Sequence, residues 1–275
     1  CLWPFFLVSI GISCNADNDS KDGGENSGSV TLEGAVAKGP FSVGSSVDVA
    51  MIDSITTDPL GTVFNTTTRN DLGEYNLNLN SLGTAEIVAN GFYFNEIKGQ
   101  LSSAAITMRA LAEFSSSGTQ QVYINIVTQL TYLRAKYLIV QGSAFQAAIA
   151  QAEAELALAL NGLLAAPGST VAGTDMNILG GDNVNNAYLF AISCLFGQVA
   201  TNEAAGDGSV DAELQELISG FALDFEADGT IETTLQEKLD YAARVTNIAA
   251  CSTNTADYLS EKGSTVVVPN LARSW

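Results

Sequence analysis

Apolar and polar positions along the chain fall into two textures. From Val30 to about Phe114 the apolar residues come in short alternating runs. "VTLEGAVA" (Val30–Ala37) and "SVDVAMI" (Ser46–Ile52) read as strands, and Gly39, Pro40 and Gly44 make the segment between them a loop rather than a tight hairpin. A Thr-rich run around Thr62–Thr68 suits another strand. "NDLG" (Asn70–Gly73) reads as a turn, after which Tyr75, Leu77 and Leu79 alternate with polar neighbours. Further strands are predicted at Ala85–Ala89 and Ala105–Phe114, with an aromatic cluster, Phe92, Tyr93 and Phe94, after the first of them. Short strands at this spacing predict a small β-sandwich.

Near Val122 the period lengthens. Ile126, Leu130, Leu133 and Tyr137 carry helical spacing, and Gly142 stops the helix. Ser143, with Gln146 three residues on, is placed to cap the next helix over "AFQAAIAQAEAELALALNGL". After a Gly-rich loop, "NNAYLFAISCLFGQVATNEA", "DAELQELISGFALDF" and "TIETTLQEKLDYAARVTNIAACS" read as amphipathic or buried helices, with a last helix over Thr255–Lys262. "STVVVPNLARSW" reads as an extended tail that packs back on the body. The expected fold class is therefore α+β. A prealbumin-like or Ig-like β-sandwich over residues 29–121 is followed by a helical domain over 122–275. No internal repeat stands out, and after the first residues no second long apolar run.

The start of the chain has a different character. "LWPFFLVSIGI" (Leu2–Ile12) is apolar and uncharged. At about 1.5 Å of rise per residue it falls short of a bilayer core of roughly 30 Å, but it has the length of a signal-peptide apolar region. With Cys1 rather than Met in first place, a basic leader is expected upstream. Cys14 ends the apolar run, and the polar, acidic, Gly-rich stretch that follows (Asn15–Ser29) has little to bury, which predicts a disordered tether over 14–28. Ile12 and Ser13 before Cys14 resemble a bacterial lipobox, although Gly11 stands where Leu, Val or Ile is usual. Residues 1–13 are thus expected to be a signal peptide and Cys14 the lipidation site. The alternative is a buried N-terminal segment with an ordinary cysteine. Asn15 lacks the Asp that resembles an inner-membrane retention signal, which favours an outer-membrane lipoprotein of the bacterial cell envelope.

Two further resemblances are visible. "EGAVAKGPFSVGSSVDV" with "TRNDLGEYNLNL" resembles the prealbumin-like sandwich called the carboxypeptidase regulatory-like domain. Asp71 and Gly73 stand one residue closer than that pattern prefers. "GAVAKGPFSVGSSV", "NGFYFNEIKGQLS" and "INIVTQLTYLRAKYLIVQGSAFQAAIAQAEAEL", spanning about Gly34 to Leu156, resemble a group of uncharacterised bacterial surface lipoproteins. The resemblance implies a surface-exposed envelope protein and implies no reaction.

Composition narrows the chemistry. Hydrophobic residues are 47% of the 275, enough for a sizeable core, and 11 Lys+Arg against 30 Asp+Glu give a net charge of −19. That charge disfavours nucleic acid, which needs clustered cations to neutralise phosphate. The membrane is expected as a partner only through the acyl anchor, and a surface protein or polysaccharide as a ligand. With no histidine, Ser-His-Asp and Cys-His catalysis and His-ligated zinc or haem are removed. No S-x-x-K, G-x-S-x-G or P-loop is present.

Four cysteines remain to place. Cys1 leaves with the signal peptide and Cys14 is acylated, so Cys194 and Cys251 are natural disulfide partners in an exported protein. The closed loop would contribute roughly 4 kcal/mol if unstrained. The alternative is two free buried thiols, since both lie in apolar surroundings.

No cofactor is expected. Calcium is the one metal to weigh, since it takes oxygen ligands. Asp17–Glu25 and the Asp207, Ser209, Asp211 series are poor calcium loops. Asp224, Glu226 and Asp228 before Gly229 are the best of the three, with Glu232 too early for the distal ligand. The plainer reading of each is turn-making and helix capping. Phe92, Tyr93 and Phe94 are candidate ligand contacts, with core or interface packing as the alternative. The leading expectation is a non-enzymatic binding or structural module. The alternative is an envelope hydrolase that uses calcium or paired carboxylates such as Asp53, Asp58 and Glu74.

Overall fold

A computed structural model describes residues 28–168, 171–206 and 208–275. The signal segment, Cys14, most of the tether and Asp207 lie outside the described residues. Helices take 40% and strands 26%, with sheets in the N-terminal half and helices in the C-terminal half, so the class is α+β.

Two four-stranded sheets make up the first half. In one, β1 (Val30–Ala37) lies between β4 (Glu74–Leu79), antiparallel, and the short β9 (Gly118–Gln121) and β10 (Ile124–Asn125), both parallel. The sheet thus extends past the expected boundary at residue 121. The other sheet has the order β3 (Pro59–Thr67), β2 (Ser46–Ile52), β5 (Gly83–Gly91), β8 (Ile106–Phe114), antiparallel throughout. Its register explains its inner face. Val47 pairs with Ala89 and Ala89 with Met108; Val49 pairs with Ile87 and Ile87 with Ala110. All are buried and share one apolar cluster with Leu32, Val36, Tyr75 and Leu79 of the first sheet. Period-two alternation places one apolar set on one face, which is why the predicted strands were correct in type. A two-residue hairpin, β6 (Phe94–Asn95) with β7 (Gln100–Leu101), projects from the end of β5.

The turn at Asn70–Gly73 is built as its residues require. Asn70 Oδ1 accepts from the N–H groups of Leu72 and Glu74. Gly73 has φ +72°, and a Cβ there would run into the Val36 carbonyl, so the left-handed position and the close approach both require glycine.

Among the described residues six α-helices follow: α1 (Ile126–Val140), α2 (Phe145–Ala159), α3 (Val184–Glu203), α4 (Val210–Phe225), α5 (Thr233–Val245) and α6 (Ile248–Glu261). Asn125 caps α1 in a reciprocal box with Thr128. Gly142, at φ +100°, ends it, donating to the Ile139 carbonyl while Ser143 donates to that of Leu138. The sequence predicts Ser143 as the cap of α2, but the N-cap is Ala144, without a side-chain bond. The single helix expected over Thr230–Ser252 is two. α5 stops at Val245, and Asn247 caps α6 by accepting from the Ala250 N–H, so the last helix starts well before Thr255.

α1 and α2 lie on the outer face of the second sheet, where Leu138, Ile139, Phe145 and Ile149 pack with Leu111 and Ile52. α3 is buried over nearly its whole length and belongs to the same apolar cluster as the sheets. The tail packs back as expected: Leu271 is buried, the Ser274 carbonyl accepts from Ala165 N–H, and Trp275 Nε1 donates to the Ala243 carbonyl.

Candidate functional site at the junction of sheets and helices

Where β1 ends, the chain turns through Lys38, Gly39 and Pro40 beneath α3. Lys38 and Glu96, the latter just past β6, both have fully buried side chains, with Nζ 2.7 Å from Glu96 Oε2. Ser193, midway along α3, has its Oγ within hydrogen-bond distance of the Lys38 carbonyl oxygen and 2.6 Å from Glu96 Oε1. Gly197, one helical turn further on, leaves the space the lysine head occupies, since a Cβ there would stand 3.0 Å from Nζ. Gly39 likewise lets the turn lie against the Phe94 carbonyl.

The network continues outward. The Tyr93 ring centre lies 5.8 Å from Lys38 Nζ. Its hydroxyl donates to Asp211 Oδ1 at 2.9 Å, and burial, reinforced by the Asp211 charge, raises its pKa. Asp211, in the first turn of α4, accepts on Oδ2 from Ser103 N–H and Oγ–H and from Ala104 N–H. From α6, Asn254 Nδ2 donates to the Glu96 carbonyl, the Tyr258 hydroxyl donates to the Asp71 carbonyl, and Lys262 pairs with Asp71 at 2.8 Å. The Lys262 hydrogen bond holds the Asp71 carboxyl below its usual range. The Phe94 and Tyr258 rings stack at 4.2 Å. Sheet ends, hairpin and three helices are thus joined by one run of polar contacts. Lys38 and Glu96 are sealed from solvent.

A half-buried carboxyl lies elsewhere. Glu153 of α2 accepts from Gly173 N–H at 2.8 Å beside a small cavity lined by Thr128, Thr131, Tyr132 and Thr174. Burial pushes it up to about 7, against the pull of that N–H and with Asp175 adding to the rise. At the surface, a polar hollow of about 330 Å³ lies between the β6–β7 hairpin and the start of α4, lined by Lys98, Gln100, Ser102 and Ser209 among others.

The residues singled out from the sequence are dispersed. Cys194 of α3 and Cys251 of α6 are joined in a disulfide, their Cα atoms 6.7 Å apart. Tyr93 and Phe94 do not form a ligand platform. Their rings are 0% and 3% exposed because both pack into the junction, leaving only Phe92, at 49%, open to contact. Asp224, Glu226 and Asp228 serve separate local roles. Asp224 accepts from Glu232 N–H, Asp228 from Thr230, and the Glu226 carbonyl from Arg134. Among the described residues, no group of three or more His, Cys, Asp or Glu side chains could hold a metal. Asp53 turns back onto the N–H groups of Ile55 and Thr56, and Glu74 pairs with Arg69. The sequence reading missed Lys38, Glu96 and Ser193, and weighed Asp211 only within a poor calcium loop. A lysine inside the apolar run "GAVAKGPF" and a glutamate directly after "FYFN" were the available signals.

Comparisons with protein-family models, with curated proteins and with solved structures found no match.

Proposed function

We propose that the chain is a bacterial envelope lipoprotein, acylated at Cys14, whose body is a non-enzymatic binding module for a surface protein or polysaccharide. The observation that carries this reading is the Cys194–Cys251 disulfide, because such bonds persist in oxidising, extracytoplasmic compartments. The sharp change at Cys14 from apolar run to acidic tether agrees with it. No helix among the described residues is long and apolar enough to cross a membrane, so attachment in this reading rests on the lipid. We take the two sheets around one core as a prealbumin-like sandwich, supported by the Gly-Pro loop after β1 and the Asn70–Gly73 turn into β4. The hollow beside the β6–β7 hairpin, with its hydroxyl, amide and ammonium groups, suits a hydrogen-bonding ligand such as a glycan or peptide.

The test is metabolic labelling with a fatty-acid analogue in a bacterial host, comparing the full-length protein with its Cys14→Ser variant. Label on the wild type alone is expected; absence of label on both would sink the anchor.

A further inference from the structure

Lys38 and Glu96 are poorly matched as an ion pair. An ammonium has three N–H donors. Among the described residues Nζ reaches one hydrogen-bond acceptor, Glu96 Oε2 at 2.7 Å, and its only other polar neighbour of note is the face of Tyr93. Both side chains are fully buried. Two charges taken wholly out of water need further hydrogen bonds to offset their desolvation, and the ammonium lacks them.

The protons around Ser193 point the same way. Its hydroxyl has one proton and two close oxygen neighbours, the Lys38 carbonyl and Glu96 Oε1. The carbonyl and Oε1 both accept from that hydroxyl, which has one proton to give, so Ser193 leaves one of the two oxygens without a donor. Oε1 thus rests on Ser193 while Oε2 faces the lysine nitrogen.

We propose that Lys38 and Glu96 condense to an intramolecular amide. Ammonium plus carboxylate differs from amine plus acid only by the position of one proton, so the neutral pair needs nothing from outside. The Nζ lone pair attacks Cδ of Glu96. The Nζ–Cδ bond forms, the Cδ–Oε1 bond breaks, and Oε1 leaves as water with its own proton and one from Nζ. Oε2 remains as the amide carbonyl. Nothing is oxidised or reduced. Ser193, against Oε1, steadies the departing oxygen. The two groups are fixed together in a dry site, the condition under which proximity contributes most and released water is least able to return. The product is neutral and removes both buried charges.

The structure is arranged to hold such a bond. It would tie the end of β1 to the β6–β7 hairpin beneath α3. Ser193 of α3 and Asn254 of α6 both touch Glu96, and the Cys194–Cys251 disulfide clamps those same two helices together. The proposal is independent of whether Cys14 carries a lipid.

The test is a tryptic digest of the full-length, folded and then reduced wild-type protein, read by mass spectrometry. We expect a branched peptide joining the Lys38 and Glu96 stretches, lighter by one water than the two together, with no cleavage after Lys38. In Lys38→Arg, whose guanidinium does not condense, the branched peptide should be lost. A wild-type digest with ordinary cleavage after Lys38 and an unmodified Glu96 peptide would overturn the proposal, whatever the variant does.

Discussion

Two ion pairs with a nearly or fully buried cation, Arg134–Glu155 and Lys38–Glu96, are built in opposite ways. Arg134 of α1 uses Nε and Nη2 on the two oxygens of Glu155 and Nη1 on the carbonyls of Glu226 and Ala227, with the Tyr137 ring 5.5 Å away. Its guanidinium fork is nearly filled, and the pair keeps some contact with water, at 8% and 20% exposure. The Glu155 carboxyl is held low by Arg134. Lys38 and Glu96 have no exposure and a single direct contact. Arginine presents a planar set of donors to a planar set of acceptors, whereas lysine is a point charge that here faces one oxygen. The first pair is a satisfied strut between α1, α2 and the loop after α4. The second is a sealed pair whose stability depends on both partners being present.

The largest effect should come from breaking the sealed pair. Lys38→Met removes the partner of a fully buried Glu96, and with it any bond between the two, and should cost about 3–5 kcal/mol in urea unfolding. A cost below that of the Arg134 variant would reverse the comparison. Next comes Glu153, which is neither paired with a cation nor exposed. Its folded value of about 7 lies above the ordinary 4.5, so the folded state holds the proton longer than the unfolded chain. Stability should therefore fall as pH rises from about 4.5 through about 7, by on the order of 3 kcal/mol in all. Glu153→Gln should flatten that slope in unfolding curves taken across the range; an unchanged slope would remove Glu153 as its cause. Arg134→Met should cost about 1–3 kcal/mol, less than Lys38→Met because Glu155 can turn to water while two carbonyls lose a donor. The smallest effect belongs to Arg69→Ala. Arg69 and Glu74 are 58% and 39% exposed, so the midpoint should move by less than about 0.5 kcal/mol equivalent.

Much of the architecture was legible in the sequence because it follows from local pattern. β1 and β2 match their expected bounds, since alternation ends where Gly39, Pro40 and Gly44 begin. The end of α1 was readable at Gly142. The division between α5 and α6 was not, because apolar spacing runs on through "AARVTNIAAC" and only the cap at Asn247 marks the break. The cap expected at Ser143 failed because α2 starts one residue later, which puts Ala144, with no side-chain acceptor, at the N-cap. The junction was least legible of all. Lys38 meets Glu96 across 58 positions and Ser193 across 155, and no local period encodes a contact of that range. Phe92, Tyr93 and Phe94 looked equivalent in sequence. Only the packing of α6 and the approach of Asp211 separate the exposed ring from the two buried ones.

The position of β1 has a mechanical consequence. It is hydrogen-bonded on both sides, to β4 on one and to β9 and β10 on the other, and its first residue is where the described sheet begins. A pull applied ahead of Val30 runs along the strand axis, so the rungs on both flanks bear the load at once and must slide together rather than open one after another. The trailing end of the same strand runs into Lys38, wedged under α3. A strand loaded in shear at its leading end and bolted at its trailing end is hard to draw out of a sheet, so the body should yield elsewhere first under force.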